Sequence, residues 1–236
     1  MFKENAYSSF KISSSSMVGV FGWMFYGLFL SAFSAIGLFL LAANGIIPVD
    51  SYLTIIAVST IVFVIYSFVS IFLMGMTRSK TSAVVIYSIY ALLLGIVLSS
   101  FLIMYDLGTI TYAFGTTCLV FGIMAIYGYF TKRDLSGFAS ILTMFLIGAL
   151  LVSLVNLLCF YFIGAEVYSA INWVISYVIL GVIIGYVAFD IQRLKRAAEC
   201  GALVSSIPIY LAFSLYTDFV AIFIRLVQII GASRNN

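Results

Sequence analysis

The sequence predicts an all-α membrane protein, a bundle of seven transmembrane helices. Three observations lead there. Of the 236 residues, 64% are hydrophobic and 8% charged, whereas an average soluble chain is about a quarter charged. The mean hydropathy is +1.24, and it is too even along the chain for a soluble domain with one anchor. The apolar residues also fall into seven runs, roughly 17–43, 52–76, 83–105, 110–130, 138–163, 170–191 and 208–230. Each run suffices for the roughly 20 residues that cross a hydrocarbon core. This composition excludes a soluble globular enzyme and a disordered chain, which needs low hydrophobicity and high charge. Alternating segments of about ten residues, the mark of a transmembrane β-barrel, do not occur.

The elements follow in order. Residues 1–16 are polar and serine-rich, with Lys3, Glu4 and Lys11, and read as a cytoplasmic tail. The apolar run after them is too long for a signal-peptide core and has no cleavage site, so it reads as a retained first helix. Asn44-Gly45 and Pro48-Val49-Asp50 end that run, and Asp106-Leu107-Gly108 separates the third from the fourth. Gly164 ends the fifth, and Gly201 and Pro208 bracket the start of the seventh. The only two prolines stand at run edges, so the helices are expected to be unbroken. Residues 17–236 are then a single seven-helix domain with almost nothing outside the lipid.

Charge sets the orientation, because Lys and Arg favour cytoplasmic loops. Lys3 and Lys11 lie in the tail, Arg78 and Lys80 in the second loop, and Lys132 and Arg133 in the fourth. Arg193, Lys195 and Arg196 lie in the sixth loop, while Asp50, Asp106 and Glu166 are the only charges in the odd loops. The N-terminus is therefore expected in the cytoplasm. Seven crossings would place the C-terminus outside, and a re-entrant last run would return it. The net charge of +3 and the lack of a long basic cluster give no reason to expect nucleic acid as a partner. The partner expected from composition is the lipid bilayer.

Absences bound the chemistry. With no histidine, His-based triads, His-ligated haem and most catalytic zinc sites are excluded. Cys118, Cys159 and Cys200 form no CxxC, so no zinc knuckle or thioredoxin-like motif is available. No cofactor and no enzymatic activity are expected.

An ionisable residue inside a membrane helix is expensive and is a functional candidate by default. Asp190 lies near the cytoplasmic end of the sixth run, Asp218 near the middle of the seventh, and Arg225 two turns further. Asp218 is ten residues beyond Pro208, roughly 15 Å into the membrane, and its side chain is too short to reach water. It requires a partner, a water-filled cavity or a proton. Asp190 on its own reads equally as an interfacial carboxylate paired with Arg193. Arg225 falls on the Asp218 face and either neutralises a neighbouring acid or snorkels outward, the second being the expectation. The sixth and seventh runs are consecutive and antiparallel, so both aspartates fall in the cytoplasmic half. Two carboxylates within hydrogen-bond reach share a proton and titrate as a unit, which makes a pH sensor without histidine. Their oxygens also suit transient contact with a hard cation. Tyr186 and Ser214, each one turn before an aspartate, could donate to the carboxylates. Tyr186 alternatively belongs to an aromatic belt. Gly181 and Gly185 form a GxxxG that would permit close packing.

Several strings point to a family. Tyr127-Gly128-Tyr129-Phe130-Thr131-Lys132-Arg133-Asp134-Leu135-Ser136-Gly137 resembles a YGY-x-TKRDLSG loop. Ala188-Phe189-Asp190-Ile191-Gln192 resembles A-Y-D-T-Q, and Leu215-Tyr216-Thr217-Asp218-Phe219-Val220 with Arg225-Leu226 resembles L-Y-L-D-F-I followed by L-L-R. Ser153-Leu154-Val155-Asn156 fits the fifth helix. These strings, in order from about residue 83 to the end, are similar to those of the Bax inhibitor (transmembrane Bax-inhibitor-motif) family, in its bacterial branch. The resemblance implies seven helices with the last one central, a bacterial inner-membrane location, and a pH-sensitive calcium leak controlled by two aspartates that match Asp190 and Asp218. It also implies an arginine near the end of the second helix that locks the aspartates. Met74 stands at that position, with Arg78 one turn later. Read without the family, Thr131 to Ser136 is a capped helix start, with Asp134 or Ser136 as the cap and Lys132 and Arg133 as topology anchors.

Three functions compete on the sequence. The first is a pH-gated cation leak, with calcium as the permeant ion. The second is a non-transporting modulator that binds another membrane protein, such as a protease or a stress or death factor. The third is an intramembrane aspartyl protease, which would need a GxG before the second aspartate and a later PAL; neither is present.

Overall fold

A computed structural model describes residues 2–145, 147–148 and 165–234. Among the described residues every regular element is helical: α1 (Phe2–Ala43), α2 (Val49–Met76), α3 (Lys80–Leu98), α4 (Phe101–Met104), α5 (Leu107–Phe130), α6 (Ser136–Phe145), α7 (Ala165–Glu199) and α8 (Ile207–Arg234). Six stretches are long and apolar enough to cross a membrane: Met17–Ala43, Val49–Met76, Lys80–Met104, Leu107–Phe130, Val174–Glu199 and Ile207–Ser233. They match six of the seven expected runs. Of the fifth, 138–163, only the α6 part and residues 147–148 are described. The rest, with Ser153–Asn156, Cys159 and Gly164, lies outside the described residues.

The local chemistry explains the boundaries. Gly45 and Gly201 adopt φ of 72° and 67°, which glycine alone enters without a Cβ penalty. At the first, the amides of Gly45 and Ile46 donate to the carbonyls of Ala42 and Leu41; at the second, those of Gly201 and Ala202 donate to Ala198 and Ala197. Both are Schellman caps, which satisfy carbonyls the helix end leaves free. Asp106 caps α5, its carboxylate accepting from the Thr109 amide at 2.9 Å and the Thr109 hydroxyl at 2.6 Å, as an N-cap acid should. The helical backbone of α1 begins at Phe2, so the polar tail continues the first membrane helix.

Two expectations are corrected. The third run is interrupted without a proline, at Ser99 and Ser100 between α3 and α4, by a turn whose two residues keep right-handed helical φ/ψ, so that Lys80–Met104 still makes one span. Each hydroxyl donates back to a carbonyl three residues earlier, Ser99 to Ile96 at 2.6 Å and Ser100 to Val97 at 2.7 Å. Such bonds compete with the helical ladder and tighten the turn, and Tyr52 of α2 donates to the Ser99 carbonyl at 3.0 Å. The second correction concerns Arg193, Lys195 and Arg196, which lie on α7 rather than in a loop. Ile191, Leu194 and Ala198 are buried there while Arg193 and Arg196 are exposed. The helix becomes amphipathic where it leaves the apolar run, so packing on one face sustains it.

The chain divides into two compact units. The first comprises 1–110 and 194–216. In it α3 packs against α1 and α2, with Ala83, Tyr87, Ala91, Leu94 and Gly95 of α3 buried. The Ser206 hydroxyl, at the start of α8, donates to the Thr77 carbonyl at 2.9 Å, fixing the turn that carries Arg78. The second unit comprises 111–193 and 217–236. It holds most of α5, all of α6 and the membrane parts of α7 and α8 in which Asp190 and Asp218 lie.

Candidate functional site: two aspartates on α7 and α8

The site is built on the most enclosed stretch of α7. Val187, Ala188, Asp190, Ile191, Gln192 and Leu194 are all buried, while Phe189 is half-buried and Arg193 exposed, so most of this stretch is covered. Asp190 is 5% exposed. A buried acid is tolerated only when held by other groups, and Asp190 does have polar interactions. Asp218 on α8 is in the same unit. Phe219 beside it packs edge-to-face on Phe114 and Phe121 of α5, with ring centroids 5.8 and 5.5 Å apart. One carboxylate oxygen of Asp218, Oδ2, is buried and has no hydrogen-bond partner. The charges of Asp190 and Asp218 act on each other. An unpartnered buried carboxylate oxygen is a costly arrangement.

The structure also places the other sequence candidates. The Tyr186 hydroxyl pairs with Thr143 of α6 at 2.6 Å, which anchors α6 to α7. Ser214, one turn before Asp218, is half-buried and belongs to the first unit. Arg193 is exposed on α7. Arg225 is half-buried and reaches inward: its Nη1 donates to Ser176 of α7 at 3.4 Å and to Gln228 at 3.3 Å. Arg78 is exposed in the turn between α2 and α3, in the first unit. Met74, at the position of the family's locking arginine, is buried. Of the GxxxG pair, Gly185 alone meets a neighbour, since a Cβ there would lie 2.8 Å from Leu142 of α6. Gly181 has open space around it.

Sequence reasoning missed two residues beside Asp190. Gln192 accepts from the Leu135 amide at 2.9 Å and donates to the Arg133 carbonyl at 2.7 Å. Gly128 packs directly on the Ala188 carbonyl, leaving no room for a Cβ. Both signals were present, Gln192 as one of two glutamines in the chain and Gly128 between two tyrosines. Their partners are remote in sequence and could not be read. In the Thr131–Ser136 stretch Leu135 holds the N-cap position, its carbonyl accepting from the Ala139 amide at 2.9 Å, and Asp134 just before it accepts with Oδ1 from the Ser136 amide at 3.0 Å. Two of the family-like strings thus meet in space, the TKRDLS loop held by the glutamine two residues after Asp190.

A family model described as inhibitor of apoptosis-promoting Bax1 matches residues 13–235. The chain belongs to the Bax inhibitor family. It is 35% identical over 231 residues to the inner membrane protein YbhL of Escherichia coli K12, covering 92% of each chain. It is 30% identical over 234 residues to an uncharacterized protein of Borreliella burgdorferi, covering 95% of each. It is 33% identical to the uncharacterized protein RP147 of Rickettsia prowazekii over 168 residues, 70% of this chain and 68% of that one. As a Bax inhibitor family member with six apolar spans among its described residues, it is an integral membrane protein.

Proposed function

We propose that this Bax inhibitor family protein is a pH-sensitive cation leak, with calcium as the permeant ion, gated by Asp190 and Asp218. The observation that carries the reading is the buried, unpartnered Oδ2 of Asp218 in the field of Asp190. With both carboxylates ionised, mutual repulsion favours separation of α7 and α8 or recruitment of a cation. With a proton between them, the helices pack closely and the path closes. A side chain supplies only carboxylate oxygens here, so a hard cation would be held loosely enough to pass on. No cofactor and no catalytic step enter this reading. The location supported by the relative's printed name and by the loop charges is a bacterial inner membrane, with the N-terminus cytoplasmic, seven crossings and the last helix central.

The test is calcium flux into proteoliposomes across a series of pH values, because two interacting carboxylates titrate as a unit. Asp190→Asn and Asp218→Asn should each abolish the pH dependence. Flux that keeps its pH dependence in both variants rules the mechanism out. The family description, which names inhibition of another protein, favours a second reading, a non-transporting modulator that binds a membrane-protein partner. A stoichiometric partner on purification, together with no flux from the pure protein, would select it.

A further inference from the structure

The two contacts that sequence reasoning missed lie on either side of Asp190, at equal spacing. Gly128 of α5 meets Ala188, two residues before. Gln192, two residues after, is bonded to the turn between α5 and α6. Each spacing is about 3 Å along the helix axis. Gln192 is 5% exposed and Leu135 7%, so the bond between them is shielded from water and correspondingly strong, while the bond to the Arg133 carbonyl is partly shielded. The amide uses donor and acceptor on two main-chain groups, Leu135 N–H and Arg133 C=O, which fixes α7 against the turn in two directions. At Gly128 the contact is backbone on backbone, so neither helix can move closer.

We propose that Gly128 and Gln192 are positioning residues. Together they bracket Asp190 and set its distance from Asp218, so that the cytoplasmic α5–α6 turn and the carboxylate pair move as one body. The proposal rests on the carboxylate-pair reading for its functional consequence. Its mechanical content stands without it. Any displacement of α7 that separates Asp190 from Asp218 must break both Gln192 bonds or carry the turn along. Lys132 and Arg133 are exposed in that turn, which makes it the handle by which the cytoplasm could act on the pair. Ionisable groups on the elements around this stretch include Asp218 and Arg225 on α8, Tyr127 and Tyr129 on α5, Lys132, Arg133 and Asp134 in the turn, and Tyr186, Arg193, Lys195, Arg196 and Glu199 on α7. Neither Gln192→Met nor Gly128→Ala removes any of them, so a changed pH profile in these variants reports position rather than lost charge.

The experiment measures the pH profile of calcium flux for wild type, Gln192→Met and Gly128→Ala in proteoliposomes, with folding checked by size exclusion. In the folded variants the midpoint should move by about half a pH unit or more, a ~3-fold change in proton affinity. Folded variants with the wild-type midpoint overturn the proposal. Amide exchange of residues 131–136, in wild type, Asp190→Asn and Asp218→Asn, tests the coupling without the two bracket variants and without flux. Protection of the turn should change several-fold when either aspartate is neutralised, and unchanged protection overturns the bracket even if neither bracket variant folds. If the Asn variants keep the pH dependence of flux, the leak reading fails, while amide exchange still decides the mechanical coupling.

Discussion

Helices α2 and α7 have nearly the same hydropathy and opposite roles. Both are strongly apolar, yet almost none of the α2 span is buried, against half of the α7 span. Along α2, Ile61, Ile65, Phe68 and Phe72 face outward, and the helix carries no charge beyond Asp50 in its first turn. Lipid solvates such a surface as well as a protein interior would. Along α7, glycine, amide and carboxylate groups are enclosed and matched to neighbours. Hydropathy measures transfer into an apolar medium and does not distinguish lipid from protein. Enclosed polar groups do, because only protein can answer them.

The sharpest way to break this contrast is to put the same acid in both environments. Ile65→Asp, at an exposed position in mid-α2, should cost about 3 kcal/mol of insertion energy, measured as a fall in membrane-inserted yield. The chain already tolerates Asp218. An Ile65→Asp variant that inserts like wild type would mean α2 faces water or protein. Next in size is the glycine comparison. Gly95→Ala drives a Cβ into Ser34 and the Ser31 backbone and should destabilise by roughly 1–3 kcal/mol. Gly75→Ala on α2 has open space and should be neutral or stabilising by up to about 1 kcal/mol. Melting temperatures in one detergent would rank them. A smaller loss, about 1 kcal/mol, is expected for Tyr216→Phe. It removes the buried hydroxyl that pairs with Ser31, leaving Ser31 its bond to the Gly27 carbonyl at 2.9 Å. The smallest effect belongs to Phe68→Leu on α2, within about 0.5 kcal/mol, and a larger loss there would reveal a covered surface.

Six of the expected runs became spans with ends shifted by a few residues, because length and apolarity are local properties. The Gly45 and Gly201 stops were legible for the same reason: a Schellman cap is written in consecutive residues. The turn at Ser99–Ser100 was overlooked since serine, unlike proline, interrupts a helix only when its rotamer and neighbours favour the back-bond. The extension of α7 to Glu199 was overlooked because a charged stretch looks like a loop until one face finds something to pack on.

The candidate site divides in the same way. Sequence alone determined the membrane class, and Asp190 and Asp218 as the acids that an apolar chain makes costly. These follow from composition and depth, which need no knowledge of neighbours. Tertiary structure decided which oxygen is left unpartnered, that Tyr186 serves Thr143, that Arg225 reaches Ser176, and that Gly128 and Gln192 hold the segment around Asp190. Each of these depends on groups separated by tens of residues along the chain. Only packing brings such groups within hydrogen-bond distance, and the sequence of one helix carries no record of which face its neighbours will cover.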